Sequence, residues 1–410
     1  MRFARAAMAA SAAVALCLGL AACSGDDSGG DGPVKLVFRQ FDPESEIGGL
    51  KTAVDAWNGS HPDIQVELQT LSPNNIQQFA REANSGSGPD INQVAFADVA
   101  FVANSKILQP LDEYLGAGKD DLLATDMVTF EDKTWAVPWT ADTMALVYNK
   151  EKLGSNKPPT TWEELATTAA SIKNGFCFPA AGSQTSAQWF AINYYLWSHG
   201  GAFIQNTNGA WSTGATKEQL TSALDFFNGL FTSGATSKSF QAVQDYSDPS
   251  IVNGLATGDC AMSYMPPATF ATLTKQAGDK VTSAPMPSGL TDGATHLGGR
   301  ALAVNRNSKH PDQAYEVIKY LTSAETFKTY SQYPASKKTL TELDVPEAQK
   351  GYVEQLPHSR SMARYIGSDL TVASIQQLVN QQFSAVYSGQ SSSADAAQAI
   401  LDGLAKGLKG

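Results

Sequence analysis

The residues from Val137 to Lys150, Val-Pro-Trp-Thr-Ala-Asp-Thr-Met-Ala-Leu-Val-Tyr-Asn-Lys, change character midway and so constrain what the whole chain can become. Trp135 to Trp139 is aromatic and interrupted by Pro138, as where a chain leaves one compact body, whereas Met144 to Tyr148 is an apolar run of the kind found in a buried strand. Between them Thr140, Ala141, Asp142 and Thr143 are small or polar. A polar tetrad framed by Trp139 and Tyr148 suits the floor of a cleft between two bodies, which needs flat apolar faces and a few oriented polar groups. An ordinary loop between two strands of one sheet suits the same residues, and the rest of the chain decides between the two.

The N-terminal residues set the compartment. Arg2 and Arg5 precede the Ala-rich apolar run Ala6 to Leu20, too short to span a bilayer comfortably and flanked like a secretory signal, so residues 1–22 are expected to be cleaved. The run ends in Leu20-Ala21-Ala22-Cys23, which resembles the bacterial lipobox, with Cys23 as the lipidated residue. Residues 23–33 hold little that could pack and read as a flexible tether. The expected location is the extracytoplasmic face of a cell membrane. Cys177 and Cys260 alone then remain in the folded body, where a disulfide and two buried thiols on neighbouring strands are both open.

The mature body, about 390 residues, exceeds one ordinary core and suggests two domains. The whole chain carries a formal charge of −11, and loss of Arg2 and Arg5 leaves −13. Such a surface repels polyanions and argues against nucleic acid or a large anionic ligand.

Taken in order, Val34 to Phe41 alternates like a first strand, and Leu50, Val54 and Trp57 have helical spacing. The loop Asp42-Pro43-Glu44-Ser45-Glu46 would lie at the carboxyl end of that strand, where open α/β sheets put their ligands. Ile64 to Leu68 reads as a strand, Ile76 to Ala83 as a helix, and Ile91 to Ala95 as a strand meeting a helix at Asp98. Beyond the central stretch, Thr161 and Glu164 read as a helix start, Phe176 to Pro179 as a short strand, and Trp189 to His199 as an aromatic helix. Helices around Lys217 to Phe231 and Pro249 to Ala256, strands at Cys260 to Tyr264, Val281 to Met286 and Ala301 to Val304, a helix after His310-Pro311 and a helical tail complete the pattern. The fold class is α/β. Trp57, Trp162 and Trp197 sit on apolar helical faces and are expected in the core.

In this order the landmarks Gly88-Pro89-Asp90-Ile91, Leu108-Gln109-Pro110-Leu111, Val137-Pro138-Trp139, Leu146-Val147-Tyr148-Asn149-Lys150, Thr161-Trp162-Glu163-Glu164-Leu165, Gly258-Asp259-Cys260-Ala261-Met262 and Leu297-Gly298-Gly299 resemble those of bacterial extracellular solute-binding proteins that serve ABC sugar importers, the maltose-binding-protein type. The resemblance implies a two-lobed, type II periplasmic-binding-protein fold with a ligand cleft and hinge crossings near Asp142, Gly298 and Pro334. It divides the chain into an N-terminal lobe of residues 34–141 plus 300–334 and a C-terminal lobe of 142–299 plus 335–410. It also implies a monomer that closes on a carbohydrate, such as an oligosaccharide or α-glucoside, and presents it to ABC permease subunits, with a cytoplasmic ATPase acting indirectly.

Carried over by position, the ligand-binding residues implied are Glu44, Glu46, Asp98, Trp139 and Asp142 in or beside the first lobe. In the second they are Gln184, Trp189, Trp211, Pro266, Gly299 with Arg300, and Arg364 with Tyr365. Carboxylates accept from vicinal hydroxyls, Arg donates to them, and aromatic faces cover the C–H faces of a pyranose. Met265-Pro266-Pro267 stands where many sugar binders show Gly-Pro-Trp, so one stacking ring is missing. Arg300 and Arg364 could equally tie loops together. No catalytic residues, metal or cofactor are indicated: there is no Gly-x-Ser-x-Gly, no phosphate loop at Gly118-Lys119 and no His pair at metal spacing. A binder of a polyamine, polyol phosphate or peptide is the alternative, and a secreted glycoside hydrolase, with its paired carboxylates, a more distant one.

Overall fold

The computed structural model describes residues 32–43, 47–71, 76–365 and 367–408, without the side chains of residues 363 and 364. The signal segment, Cys23, Glu44 and Glu46 lie outside the described residues, as does the Arg364 side chain.

Alternating apolar residues make strand β1 (Val34–Gln40), which is followed by helix α1 (Leu50–Ser60), whose inward stripe is Leu50, Ala53, Val54 and Trp57. Strand β2 (Ile64–Thr70), helix α2 (Ile76–Asn84), strand β3 (Ile91–Ala95) and helix α3 (Phe96–Asn104) complete the opening α/β units. Strand β4 (Val137–Asp142) leads through Thr143 and Met144 into β5 (Ala145–Asn149). Helix α4 (Trp162–Ala170), the buried α5 (Gln188–Ser198) and α6 (Lys217–Thr232) precede β6 (Met262–Met265) and β7 (Val281–Ala284). The long β8 (His296–Val304) is followed by α7 (Pro311–Leu321), β9 (Tyr333–Pro334), β10 (Arg360–Ser361) and helices α8 (Val372–Tyr387) and α9 (Ser393–Gly407).

Among the described residues the strands form a large sheet in the order β9-β4-β8-β3-β1-β2, with β10 also on β8, and a separate three-stranded sheet β6-β5-β7. β1 is parallel to β2 and β3, whereas β8 runs antiparallel to both β3 and β4. One face of the large sheet packs Leu36, Phe38, Val137, Trp139 and Leu302 against Trp57 of α1 and Val317 and Leu321 of α7. The other face, with Val94 and Ala301, meets α2 and α3, and its core continues without a break into the aromatic interior around α5. Helix α5 is apolar on nearly every side because it runs through that interior rather than over it.

Several expectations need correction. Phe176 to Pro179 is not a strand: Phe176 makes only an isolated bridge to Met262. The segment is held by scattered hydrogen bonds, Phe176 N to Ala235 O, Cys177 N to Met262 O and Thr236 Oγ1 to Phe176 O, and by a Cys177–Cys260 disulfide with Cα atoms 6.0 Å apart. The strand expected over Ala301 to Val304 begins five residues earlier, at His296, so the Gly298-Gly299 pair lies inside it. Thr161 caps α4 by accepting from Glu164 N, but the Glu164 carboxylate reaches past it to the backbone N–H and hydroxyl of Thr160. Finally, the chain does not leave the first sheet at Pro334. Asp121 accepts from Ser336 Oγ and Lys338 N, and Leu343 still packs on the core of the large sheet, so the third passage comes after Leu343.

Candidate functional site

Two segments pass between the sheets as antiparallel neighbours. β8 pairs with β10 at His296 and Leu297, then with β4 and β3 from Gly298 onward, while β4 ends at Asp142 and hands the chain to β5. At their junction the hydroxyls of Thr143, Thr295 and Ser359 lie mutually within hydrogen-bond distance, at 2.5, 2.8 and 2.9 Å, and Thr143 also donates to the carbonyl of His296 at 2.9 Å. Thr143 and Thr295 are fully buried, so the triangle fixes the backbone that presents the residues around it.

The register explains which side chains meet. Arg300 pairs with Thr140 and Ala301 with Pro138, which leaves Trp139 as an extra residue on β4. Such a bulge reverses the alternation beyond it. Asp142 thereby joins the face that carries His296, Gly298 and Arg300 of β8, with Gly298 directly opposite. Gly298 is where that face needs no side chain: a Cβ there would stand 2.1 Å from Asp142 Oδ1. The Asp142 carboxylate thus occupies the space between His296 and Arg300.

On one side of Asp142, His296 Nε2 stands 3.8 Å from Oδ1, and its Nδ1 lies 2.6 Å from the Tyr194 hydroxyl of α5. Phe190, half-buried, tilts against the imidazole with ring centres 4.9 Å apart. Burial holds the imidazole below its ordinary pKa, against the pull of the Asp142 carboxylate. Tyr246 lies in the same field, its phenol pushed up to about 12 by burial and by the Asp245 and Asp142 carboxylates. On the other side Arg300 closes on Asp42, Nε at 3.0 Å and Nη2 at 2.9 Å, with its guanidinium over the Phe41 ring at 5.1 Å. Gln93 donates to Asp42 at 2.6 Å and accepts from Phe41 N at 2.8 Å, so the pair is held from beneath. Asp42 is 5 % exposed, so losing Arg300 would leave a buried charge unpaired.

The remaining expected contacts scatter. Trp139 is core: it is fully buried, its indole donates to the Leu321 carbonyl, and Phe38 and Tyr330 meet it edge-on. Trp189 stacks on Phe203, and the Tyr365 hydroxyl is spent on Asn193, Trp197 and the Phe203 N–H, so both rings belong to the interior, at 2 % and 1 % exposure. Gln184 is exposed and bonds the Ala373 carbonyl; Trp211 is half-buried on a hairpin strand; Pro266 precedes the helix Pro267–Ala277. Asp98 is half-buried in the first turn of α3. Among the described residues, only Asp142, Gly299 and Arg300 of those expected come together. His296, Asp42, Phe190 and Tyr246 are the additions, and alternation through His296-Leu297-Gly298-Gly299-Arg300 was the signal for the first of them.

Two opposed polar pairs beside aromatic rings, on strands that join two sheets, suit the orientation of a polar solute. Among the described residues no group of three or more His, Cys, Asp or Glu could hold a metal ion. The structure is similar to the cyclic α-maltosyl-1,6-maltose binding protein of Arthrobacter globiformis, with a TM-score of 0.75 and 20 % identity over 92 % of this chain and all of that one, 100 %. Among curated relatives, a protein named "Probable ABC transporter-binding protein" from Deinococcus radiodurans is 30 % identical over 237 residues, 52 % of this chain and 53 % of its own. A maltotriose-binding protein of Pyrococcus abyssi is 26 % identical over 142 residues, 33 % and 30 % of the two chains. The pattern of the family described as bacterial extracellular solute-binding protein matches residues 43–326, which include Asp142, His296 and Arg300. With that match over more than half its length and the two-lobed α/β architecture around Asp142, the chain belongs to the bacterial extracellular solute-binding proteins.

Proposed function

We propose that the chain is the lipid-anchored binding component of an ABC importer, and that it captures a carbohydrate, an oligosaccharide or α-glucoside, without chemistry of its own. The observation that carries the sugar assignment is the line His296, Asp142, Arg300 on one face, with Phe190 alongside: donors and acceptors in alternation next to a ring are what a polyhydroxylated ring requires. The relatives named for maltotriose and cyclic maltosyl-maltose support the same class. In this reading the first lobe comprises residues 34–141, 300–334 and the segment to Leu343, and the second comprises 142–299 and the remainder. The lobes close about the paired β4 and β8, and the closed form is what the permease meets. Cys23 carries the lipid that holds the protein on the outer membrane face.

The test is a thermal-shift screen against mono- and oligosaccharides, maltotriose among them, with polyamines, a polyol phosphate and short peptides as the other arms. A native-state ligand raises the midpoint with its saturation. The expected result is a shift with one sugar class that Asp142→Ala abolishes, and recovery of the sugar intact. A shift confined to a polyamine, polyol phosphate or peptide would overturn the sugar assignment, and consumption of the sugar would overturn the binder. Cys23→Ala is expected to release the protein from membranes.

A further inference from the structure

The His296 imidazole is tied at one nitrogen and open at the other. Its Nδ1 faces the Tyr194 hydroxyl at 2.6 Å. Because the Asp142 carboxylate faces Nε2, the neutral ring is best placed with Nδ1 accepting from the Tyr194 hydroxyl. The proton of the neutral ring then sits on Nε2. The opposite tautomer would turn a bare nitrogen lone pair on the Asp142 carboxylate. Nε2 and Asp142 Oδ1 are 3.8 Å apart, too far for a hydrogen bond to each other. A single oxygen can nevertheless lie about 2.8 Å from both, accepting from Nε2–H while donating to Oδ1. A hydroxyl does both at once; an ether, a ketone or a fluorine cannot donate, and an ammonium cannot accept.

We propose that His296 is a specificity-determining residue of the cleft: Tyr194, His296 and Asp142 form one relay that reads a single ligand hydroxyl as simultaneous donor and acceptor. The inference rests on the sugar-binding reading. It also gives that binding a pH signature. The groups facing the imidazole are Asp142 from β4 and the Tyr194 phenol from α5, with Tyr246 and Tyr264 beyond Tyr194; burial keeps these phenols protonated. Arg360, paired with His296 through the β10 backbone, turns its guanidinium to the Trp197 carbonyl. Asp142 is therefore the charge that answers His296. A protonated ring would present two donors, turning the Tyr194 proton away and drawing Asp142 into an ion pair that competes with the ligand. The ring is held neutral below its ordinary pKa of about 6.5. Affinity is accordingly flat above that pH and falls as pH drops toward the folded value, because the free protein takes up the proton more readily than the ligand-filled one.

The experiment is nitrogen NMR of the imidazoles in the whole protein, with and without maltotriose, beside calorimetric titration of maltotriose between pH 5 and pH 8. The expected result is a proton on Nε2 and none on Nδ1 at neutral pH. His296→Phe, which keeps a ring against Phe190, is expected to bind about tenfold more weakly or worse, and His296→Gln to recover part of the loss without the fall in affinity toward low pH. Tyr194→Phe, smaller in its perturbation, should free Nδ1 and weaken binding, and the surface variant His358→Gln should bind as the parent does. Nδ1-protonated His296, or His296→Phe with undiminished affinity, overturns the proposal. If maltotriose and the other sugars of the screen all fail to bind, the sugar reading falls, and the tautomer alone then decides whether the relay exists.

Discussion

At Gly298 and Gly299 two adjacent glycines are required for different reasons. A Cβ on Gly298 would meet the end of the Asp142 side chain, which can swing aside; a Cβ on Gly299, at φ +139°, would stand 2.0 Å from the Thr140 carbonyl oxygen, which cannot. Gly298→Ala is therefore expected to leave the urea midpoint nearly unchanged while weakening ligand binding about tenfold, since the displaced carboxylate loses its aim. Gly299→Ala should destabilise the fold by about 2–4 kcal/mol through backbone strain and collision, read in the same denaturation experiment. The pair separates site from scaffold within a single peptide unit. The sequence marked Gly298 and Gly299 as a landmark and Gly299 with Arg300 as contacts, but the reason position 298 carries no side chain could not be read there. That reason lies in the carboxylate of a residue more than 150 positions away, brought opposite by strand register.

Among the elements, β4 shows how a local pattern can be read correctly and its side chain misread. The aromatic, Pro-interrupted run does end one body, and Met144 to Tyr148 does contain the buried strand of the next, as alternation and length implied. Trp139 looked like a cleft platform because it precedes the polar tetrad. The indole goes into the core against Leu321, and the bulge centred on it brings Asp142 onto the same face farther along the strand, opposite Gly298. Trp139→Ala is expected to cost about 3–5 kcal/mol of stability, by cavity formation and the lost indole bond, and to alter ligand affinity only as far as the fold is weakened. Equal losses in affinity and stability by Trp139→Phe would contradict this placement. Long periodic elements such as α1, α6 and α7 were readable nearly end to end, because their apolar stripes are set by one packing face. Phe176 to Pro179 was not, since what places it is a single bridge, a few bonds to distant residues and a disulfide, none visible in periodicity.

At the scale of the whole molecule, the Cys177–Cys260 bond closes a loop spanning a sequence separation of 83 wholly on the side of the β6-β5-β7 sheet. In the chain-entropy account such a closure is worth on the order of 4 kcal/mol. Reduction, or Cys177→Ser with Cys260→Ser, should therefore lower one calorimetric transition by that amount and leave a second, assigned to the large sheet, where it was; a single transition moving as a whole would show that the two bodies melt together. The division into two bodies was legible from length and from the central stretch, yet its last boundary was not. The contacts of Ser336 and Lys338 with Asp121 bind a segment that reads from sequence as already departed. The pairing of β4 with β8 has a mechanical consequence. Two hydrogen-bonded strands form a ribbon, which flexes readily across its broad face and resists shear within its plane. Bodies strung on a ribbon swing along one coordinate, so a pull exerted on either of them from outside is concentrated where the ribbon bends, at Asp142 and Gly298. In the proposed reading the grip and the spring are one piece of backbone, so prising the bodies apart would itself loosen the solute.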